Sequence, residues 1–270
     1  MKPIQKLSLT GLAVLSATVL PGCSEDDVKE ALADNNATGL YVGCTGITEF
    51  GDIDTDTGCS ASQRTLVALV QGNGKYHLLY SDVGDEDELG GVIAGTYSLG
   101  GGGFTSNDGI DFQIGGTTSN VTVSADGPYS ISSLRGMDDG SFSGGIGGTF
   151  ALLSDTSKYN TPFAFPASSR GYTGSAGSLN DDLPISLSLQ SNGSFTGNID
   201  TECTFDGTLT ATGKALAIAS ITFENDATNC EFSAQTLTGV AYEDDGDIYI
   251  IGIDSTDTNG MFIKASSNPV

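Results

Sequence analysis

Residues 65–81 read TLVALVQGNGKYHLLYS, and residues 183–199 read LPISLSLQSNGSFTGNI. In each, an apolar-rich run reaches Gln-x-Asn-Gly, and a second run follows. Asn-Gly between two such runs marks a β-hairpin, expected here as a type I′ turn with both turn residues at positive φ. Thr65 to Gln71 would pair with Lys75 to Ser81, and Leu183 to Leu189 with Ser194 to Ile199. Side chains alternate faces along a strand, so Tyr76, Leu78 and Tyr80 point one way and Lys75, His77 and Leu79 the other. Leu66, Ala68, Val70, Gln71, Asn73, Gly74 and Tyr76 match Ile185, Leu187, Leu189, Gln190, Asn192, Gly193 and Phe195 in register. Upstream, Tyr41-Val42-Gly43 matches Tyr172-Thr173-Gly174. The pattern is that of an internal duplication, with the segment from Cys44 to Cys59 as an insertion in the first copy.

Outward from these hairpins, short runs of Val, Ile, Thr, Tyr and Phe recur between polar, glycine-rich punctuation. The chain holds 38 glycines and only 16% charged residues, a composition of strands and tight turns rather than helices. The expected fold is all-β: two tandem antiparallel, up-and-down, barrel-like domains of about eight strands each. The first spans residues 39–155 and the second residues 171–270. Between them, residues 156–170 contain Pro162 and Pro166 and read as a linker joining separable domains. Residues 23–38 read as a tether with a short helix, because Ser24 and Asp27 approximate a capping box.

Residues 1–22 carry the parts of a secretory signal peptide: Lys2 and Lys6, then an apolar run from Leu7 to Leu20. That run is shorter than the roughly 20 residues a transmembrane helix needs. Leu20-Pro21-Gly22-Cys23 resembles the lipobox of bacterial lipoproteins, with Pro21 departing from the usual small residue. The resemblance implies cleavage before Cys23 and acylation of Cys23, hence a lipid anchor in the membrane. Ser24 follows Cys23 where an Asp would signal inner-membrane retention, which by resemblance implies the outer membrane, on its periplasmic face or at the cell surface. Ser24 with Glu25-Asp26-Asp27 also resembles a surface-export signal. Four cysteines remain, Cys44, Cys59, Cys203 and Cys230. An even count in an exported chain reads as disulfides. Of the three pairings, Cys44–Cys59 and Cys203–Cys230 close the shortest loops, each stabilising by roughly 3–4 kcal/mol on the chain-entropy account.

The second half is similar to a family of proteobacterial β-rich lipoproteins with no assigned function. The similarity rests on Gly193-Ser194-Phe195-Thr196-Gly197, on Cys203-Thr204-Phe205-Asp206-Gly207-Thr208-Leu209, on Thr222-Phe223 before Cys230, and on Leu237-Thr238-Gly239-Val240-Ala241-Tyr242. Tyr41-Val42-Gly43, Gly74-Lys75-Tyr76 and Leu79-Tyr80-Ser81 fit the same family in the first half. A looser likeness, in architecture alone, is to surface lipoproteins whose small β-barrels bind host or nutrient proteins. These resemblances imply fold and location, and no activity.

Without residues 1–22 the chain keeps 8 Lys and Arg against 34 Asp and Glu, a net charge of 8 − 34 = −26. Such a surface repels nucleic-acid phosphates and attracts cations or a basic envelope or extracellular protein. A Ser-His-Asp triad would have to use His77, the one histidine, and His77 reads as a half-exposed strand residue. No Gly-x-Ser-x-Gly elbow is present, and Asp244-Asp245, a carboxylate pair of the kind glycosidases use, sits in a turn-like context. No enzyme is expected. Asp52, Asp54 and Asp56 have the spacing of the first calcium-loop ligands, but Thr57 stands where Gly is needed and Gln63 where Glu is. Calcium is therefore the one candidate cofactor, against a default of none. The candidate partner sites are acidic loops at the barrel ends, Cys44 to Cys59, Asp82 to Glu88 with Asp85, Glu86, Asp87 and Glu88, and Tyr242 to Asp247. The reading is an outer-membrane-anchored binding module, with a purely structural lipoprotein or an exported hydrolase as alternatives.

Overall fold

The structure, a computed structural model, describes residues 36–49, 52–53, 58–131, 134–200, 203–224 and 230–267. The signal, the lipidation candidate Cys23 and nearly all of the tether lie outside the described residues. So do Asp54 and Asp56 of the calcium candidate.

Strands dominate, and they form two closed eight-stranded antiparallel barrels in tandem. The first contains β1 (Gly39–Thr45), β2 (Thr65–Val70), β3 (Lys75–Asp82), β4 (Asp85–Thr96), β5 (Ser98–Gly100), β6 (Gly103–Gln113), β7 (Thr118–Ile131), β8 (Leu134–Gly144) and β9 (Gly148–Ser154). Neighbours in sequence pair, β4 pairs with β6, and β9 returns to β1. The short β5 extends the β4 edge along β6. A helical turn, α1 (Thr156–Asn160), follows. The second barrel runs β10 (Arg170–Gly177), β11 (Asp182–Leu189), β12 (Ser194–Ile199), β13 (Cys203–Ala211), β14 (Leu216–Phe223), β15 (Thr236–Asp244), β16 (Asp247–Ile253) and β17 (Gly260–Ser267), and β17 closes on β10.

The two barrels repeat one register. Tyr41 faces Ala68 across β1–β2 and Tyr172 faces Leu187 across β10–β11. Val70 faces Tyr76 as Leu189 faces Phe195. At closure, Gly43 faces Leu152 as Gly174 faces Ala265. Each hairpin is one residue longer than a type I′ turn, and only its glycine takes positive φ, +84° at Gly74 and +85° at Gly193. The Gly74 amide donates to the Gln71 carbonyl (3.3 Å) and the Gln71 amide to the Lys75 carbonyl (2.9 Å). Gln190, Gly193 and Ser194 repeat both bonds, at 3.1 and 2.8 Å. This is a type I turn followed by a left-handed glycine, which twists with its strands as a type I′ turn does. The asparagines serve through their side chains: Asn73 Oδ1 accepts from the Lys75 amide (3.1 Å) and Asn192 Oδ1 from the Ser194 amide (3.0 Å). The two-residue turn with both φ values positive falls instead at Asp245 (+50°) and Gly246 (+94°), between β15 and β16.

An eight-stranded barrel has an interior just wide enough for side chains to fill. Tyr41, Tyr76, Tyr80, Phe104, Phe142 and Phe150 help fill the first; Phe195, Phe205, Phe223 and Phe232 help fill the second. A third apolar cluster lies on the outer faces, where the barrels meet. Leu40, Leu69, Leu79, Val92 and Phe112 of the first barrel pack with Leu216, Val240, Tyr242, Ile251, Ile253 and Phe262 of the second. Phe112 and Phe262 meet edge to face, with ring centroids 5.9 Å apart.

The stretch expected as a linker is docked. Phe163 is 7% exposed and belongs to the second core, its amide donates to the Lys214 carbonyl (2.7 Å), and the Tyr159 carbonyl accepts from the Ala215 amide (3.0 Å). Asp155 caps α1 through the Lys158 amide (2.8 Å), and its own amide donates to the Leu40 carbonyl of the first barrel. Both disulfides form with the shortest-loop pairing, Cys44–Cys59 and Cys203–Cys230, at Cα separations of 5.7 and 5.0 Å.

Candidate functional site

The acidic stretch from Asp82 to Glu88 is not a loop. β3 runs to Asp82, a turn at Val83-Gly84 follows, and Asp85 already begins β4. Across the hairpin Asp82 faces Asp85 but Ser81 faces Leu89, so Glu86, Asp87 and Glu88 form a bulge without cross-strand partners. A bulge bends its strand and aims the extra side chains away from the ladder. The reason lies in the sequence: four consecutive acids cannot alternate with an apolar face, so the strand carries them by bulging into water.

The bulge faces the second barrel. Glu86, Asp87 and Glu88 line one wall of an interbarrel cleft of about 620 Å³, and Asp244, Asp245, Asp247, Tyr242 and Tyr249 line the other. Asp85 is not among the lining residues; its carboxylate accepts from the Asp87 amide (3.1 Å) and shapes the bulge. The apolar floor includes Val67, Leu79 and Leu89. Two lysines reach these acids. Lys264 donates to the Asp87 carbonyl (2.6 Å), lies 3.8 Å from the Asp87 carboxylate and sits over the Tyr249 ring at 6.0 Å. Lys158 of α1 pairs with Asp244. Tyr242 and Tyr249 face each other across β15–β16 and stack with centroids 4.6 Å apart. Burial, then the Asp247, Asp244 and Asp87 charges, push the Tyr249 phenol up to about 12. Burial pushes Tyr242 well above its ordinary value. Both phenols are therefore neutral hydrogen-bonding groups.

The lysines and Tyr249 escaped the sequence reading, and the stretch Tyr242 to Asp247, expected as a loop, is instead the end of β15, a two-residue turn and the start of β16. Lys264 lies 177 positions from Asp87, beyond any local pattern. The tyrosine pair did leave a signal, because a two-residue turn at Asp245-Gly246 puts residues 242 and 249 opposite one another on one face.

His77 is the clearest correction among the single residues. It is 6% exposed, not half-exposed. It points outward from the first barrel, but the second covers it, in a smaller interbarrel cleft of about 330 Å³ shared with Asp108, Ile218, Ile253, Asp254 and Asp257. Its Nδ1 lies 3.4 Å from Gln71 Nε2. Burial, reinforced by the Lys75 charge, pushes its pKa down to about 4, so the ring is neutral at pH 7. Inside the first barrel, Asp111 is fully buried and accepts from the Tyr80 hydroxyl (2.7 Å) and Gln113 Nε2 (3.1 Å). Arg64 stacks over the Tyr80 ring at 5.2 Å.

At one end of the second barrel, beside Cys203–Cys230, a pocket of about 430 Å³ is lined by Leu183, Ile199, Phe232 and Met261. Its polar members bond to each other, Ser178 donating to Glu231 (2.7 Å). Of the calcium candidate only Asp52 is described, and its exposed side chain lies between β1 and β2. Among the described residues no group of three or more His, Cys, Asp or Glu is placed to hold a metal ion.

The larger interbarrel cleft brings separate acidic segments, aromatic rings and apolar surface together. It can bind a cationic group by charge, hydrogen bonding and ring contact together. No family model and no curated protein matches the chain.

Proposed function

We propose that the chain is a lipid-anchored outer-membrane protein that acts as a non-catalytic binding module, holding a basic envelope or extracellular partner at the cleft between its two barrels. One observation carries this reading: the barrels are packed so that the Glu86–Glu88 bulge and the Asp244–Asp247 turn, far apart in sequence, face a common space. The side chains that fill the barrels leave recognition to the outer surfaces. Excess negative charge attracts a basic partner and weakens its hold as salt rises. Cys23, by its lipobox-like setting, supplies the anchor, which would keep the cleft within reach of envelope partners.

Site-specific photo-cross-linking in the native host tests the reading. A cross-linking residue at Glu88 or Asp245 should capture the same partner, and one at Thr122, on the exposed outer face of β7, should capture none. Identical bands from all three positions, or none from any, would replace the binding reading with a purely structural envelope lipoprotein.

A further inference from the structure

We propose that the occupant of the interbarrel cleft is a linear aliphatic amine, either a free polyamine or the lysine side chain of a bound protein. The inference rests on the binding-module reading and names the chemistry at that same site.

Three independent observations carry it. The first is a charge imbalance. Glu86, Asp87, Glu88, Asp244, Asp245 and Asp247 line the cleft, and Lys264 and Lys158 are the ammonium groups that pair with them. The local balance is 2 − 6 = −4. The second is that the cleft already accommodates an alkylammonium. Lys264 places its Nζ against a backbone carbonyl, near a carboxylate and over the Tyr249 ring, and its side chain is only 19% exposed. Its stem lies against protein while its head meets oxygen, as amphipathic amines prefer. The third is Tyr242. It lines the cleft and is 2% exposed, yet among the described residues its hydroxyl has no hydrogen-bond partner. That hydroxyl is not among the sealed polar atoms that lack a partner, so it opens to the cleft, where an arriving ammonium N–H would donate to it.

The same features select against other cations. A divalent metal needs several carboxylates converging on one point, and no such group exists among the described residues. Here the acids are spread over two walls with apolar Val67, Leu79 and Leu89 beneath, which suits charges separated by methylenes. The volume of about 620 Å³ exceeds what one ammonium fills, so the ligand extends beyond a single charge.

Isothermal titration calorimetry of the mature chain tests the proposal with spermidine, trilysine and magnesium chloride as probes. Spermidine or trilysine should bind saturably at one site per chain, the tighter of the two indicating a free polyamine or a protein lysine as the source. Combined Glu86→Gln, Asp87→Asn and Glu88→Gln should weaken binding at least about tenfold, and Tyr249→Leu by about three- to fivefold through loss of the ring face. Asp245→Asn, which keeps a turn residue suited to positive φ, should weaken it by about three- to fivefold and remains informative if Tyr249→Leu misfolds by circular dichroism. Magnesium competing charge for charge, with no effect of Tyr249→Leu or Asp245→Asn, would reduce the site to diffuse attraction and overturn the proposal. A partner cross-linked at Glu88 and Asp245 alongside an absence of saturable amine binding would overturn the ligand class and leave the binding reading intact.

Discussion

His77 shows how one side chain reports on the assembly of the whole. Strand alternation points it away from the first core, where water would normally receive it, and the second barrel takes the place of that water. Unfolded, the ring titrates near 6.5; folded, burial first and Lys75 second lower its pKa to about 4. Between those values the unfolded chain holds a proton that the folded chain refuses. The stabilisation from the neutral buried ring is therefore complete above pH 6.5 and is lost progressively as pH falls to about 4. At 1.36 kcal/mol per unit this amounts to roughly 3 kcal/mol. Of the acids that share its cleft, Asp108 and Asp254 are held below the usual carboxylate range, because hydrogen bonds from Thr96 and Ser106 to the first, and from Thr256, Thr258 and Asn259 to the second, outweigh burial, so both add to the slope only at lower pH. Urea unfolding at pH 7.5 and 4.5 should show a smaller stability difference for His77→Gln than for the unsubstituted chain. An equal pH dependence in both would mean that His77 is solvated.

Among the elements, the first strand of each barrel carries a glycine that closure requires. A Cβ on Gly43 would lie 2.0 Å from the Ala151 carbonyl oxygen, and one on Gly174 would lie 2.1 Å from that of Lys264. Backbone cannot yield as a flexible side chain can. Gly43→Ala and Gly174→Ala should each destabilise by roughly 1–3 kcal/mol or more, while Gly100→Ala, with nothing within 4 Å, should stay within about 0.5 kcal/mol. Chemical denaturation followed by circular dichroism reads all three. Much at this scale was legible. The repeated Gln-x-Asn-Gly gave the matching hairpins, alternation gave the inward faces, and spacing gave the disulfide pairs. The Glu86–Glu88 bulge was not legible, because consecutive acids read as solvent-exposed loop whether or not the ladder continues around them. The docking of residues 156–170 was missed for a related reason. Pro162 and Pro166 rule out regular structure without saying that Phe163 between them enters a core.

For the whole molecule, the question is what holds two barrels side by side. Alternation assigns Leu69, Leu79, Val240, Ile251 and Phe262 to outer faces, and all are buried. Those outward apolar residues were the unread sign that the barrels share a junction. Phe112 against Phe262, Lys264 against Asp87 and the strap with α1 and Tyr159 reinforce it. The candidate site exists only while this junction holds, since one acidic wall belongs to each barrel. Val240, fully buried at the junction yet outside both barrel interiors, is the place to break it. Aspartate there would put an unpaired charge on the apolar face and leave both cores intact. The most direct test is calorimetric thermal unfolding of residues 23–270 beside the Val240→Asp variant. The unsubstituted chain should unfold in one transition with a calorimetric-to-van't Hoff enthalpy ratio near one, and the variant in two. Two separate transitions in the unsubstituted chain would show barrels that unfold independently and would contradict the account of a fixed interbarrel cleft.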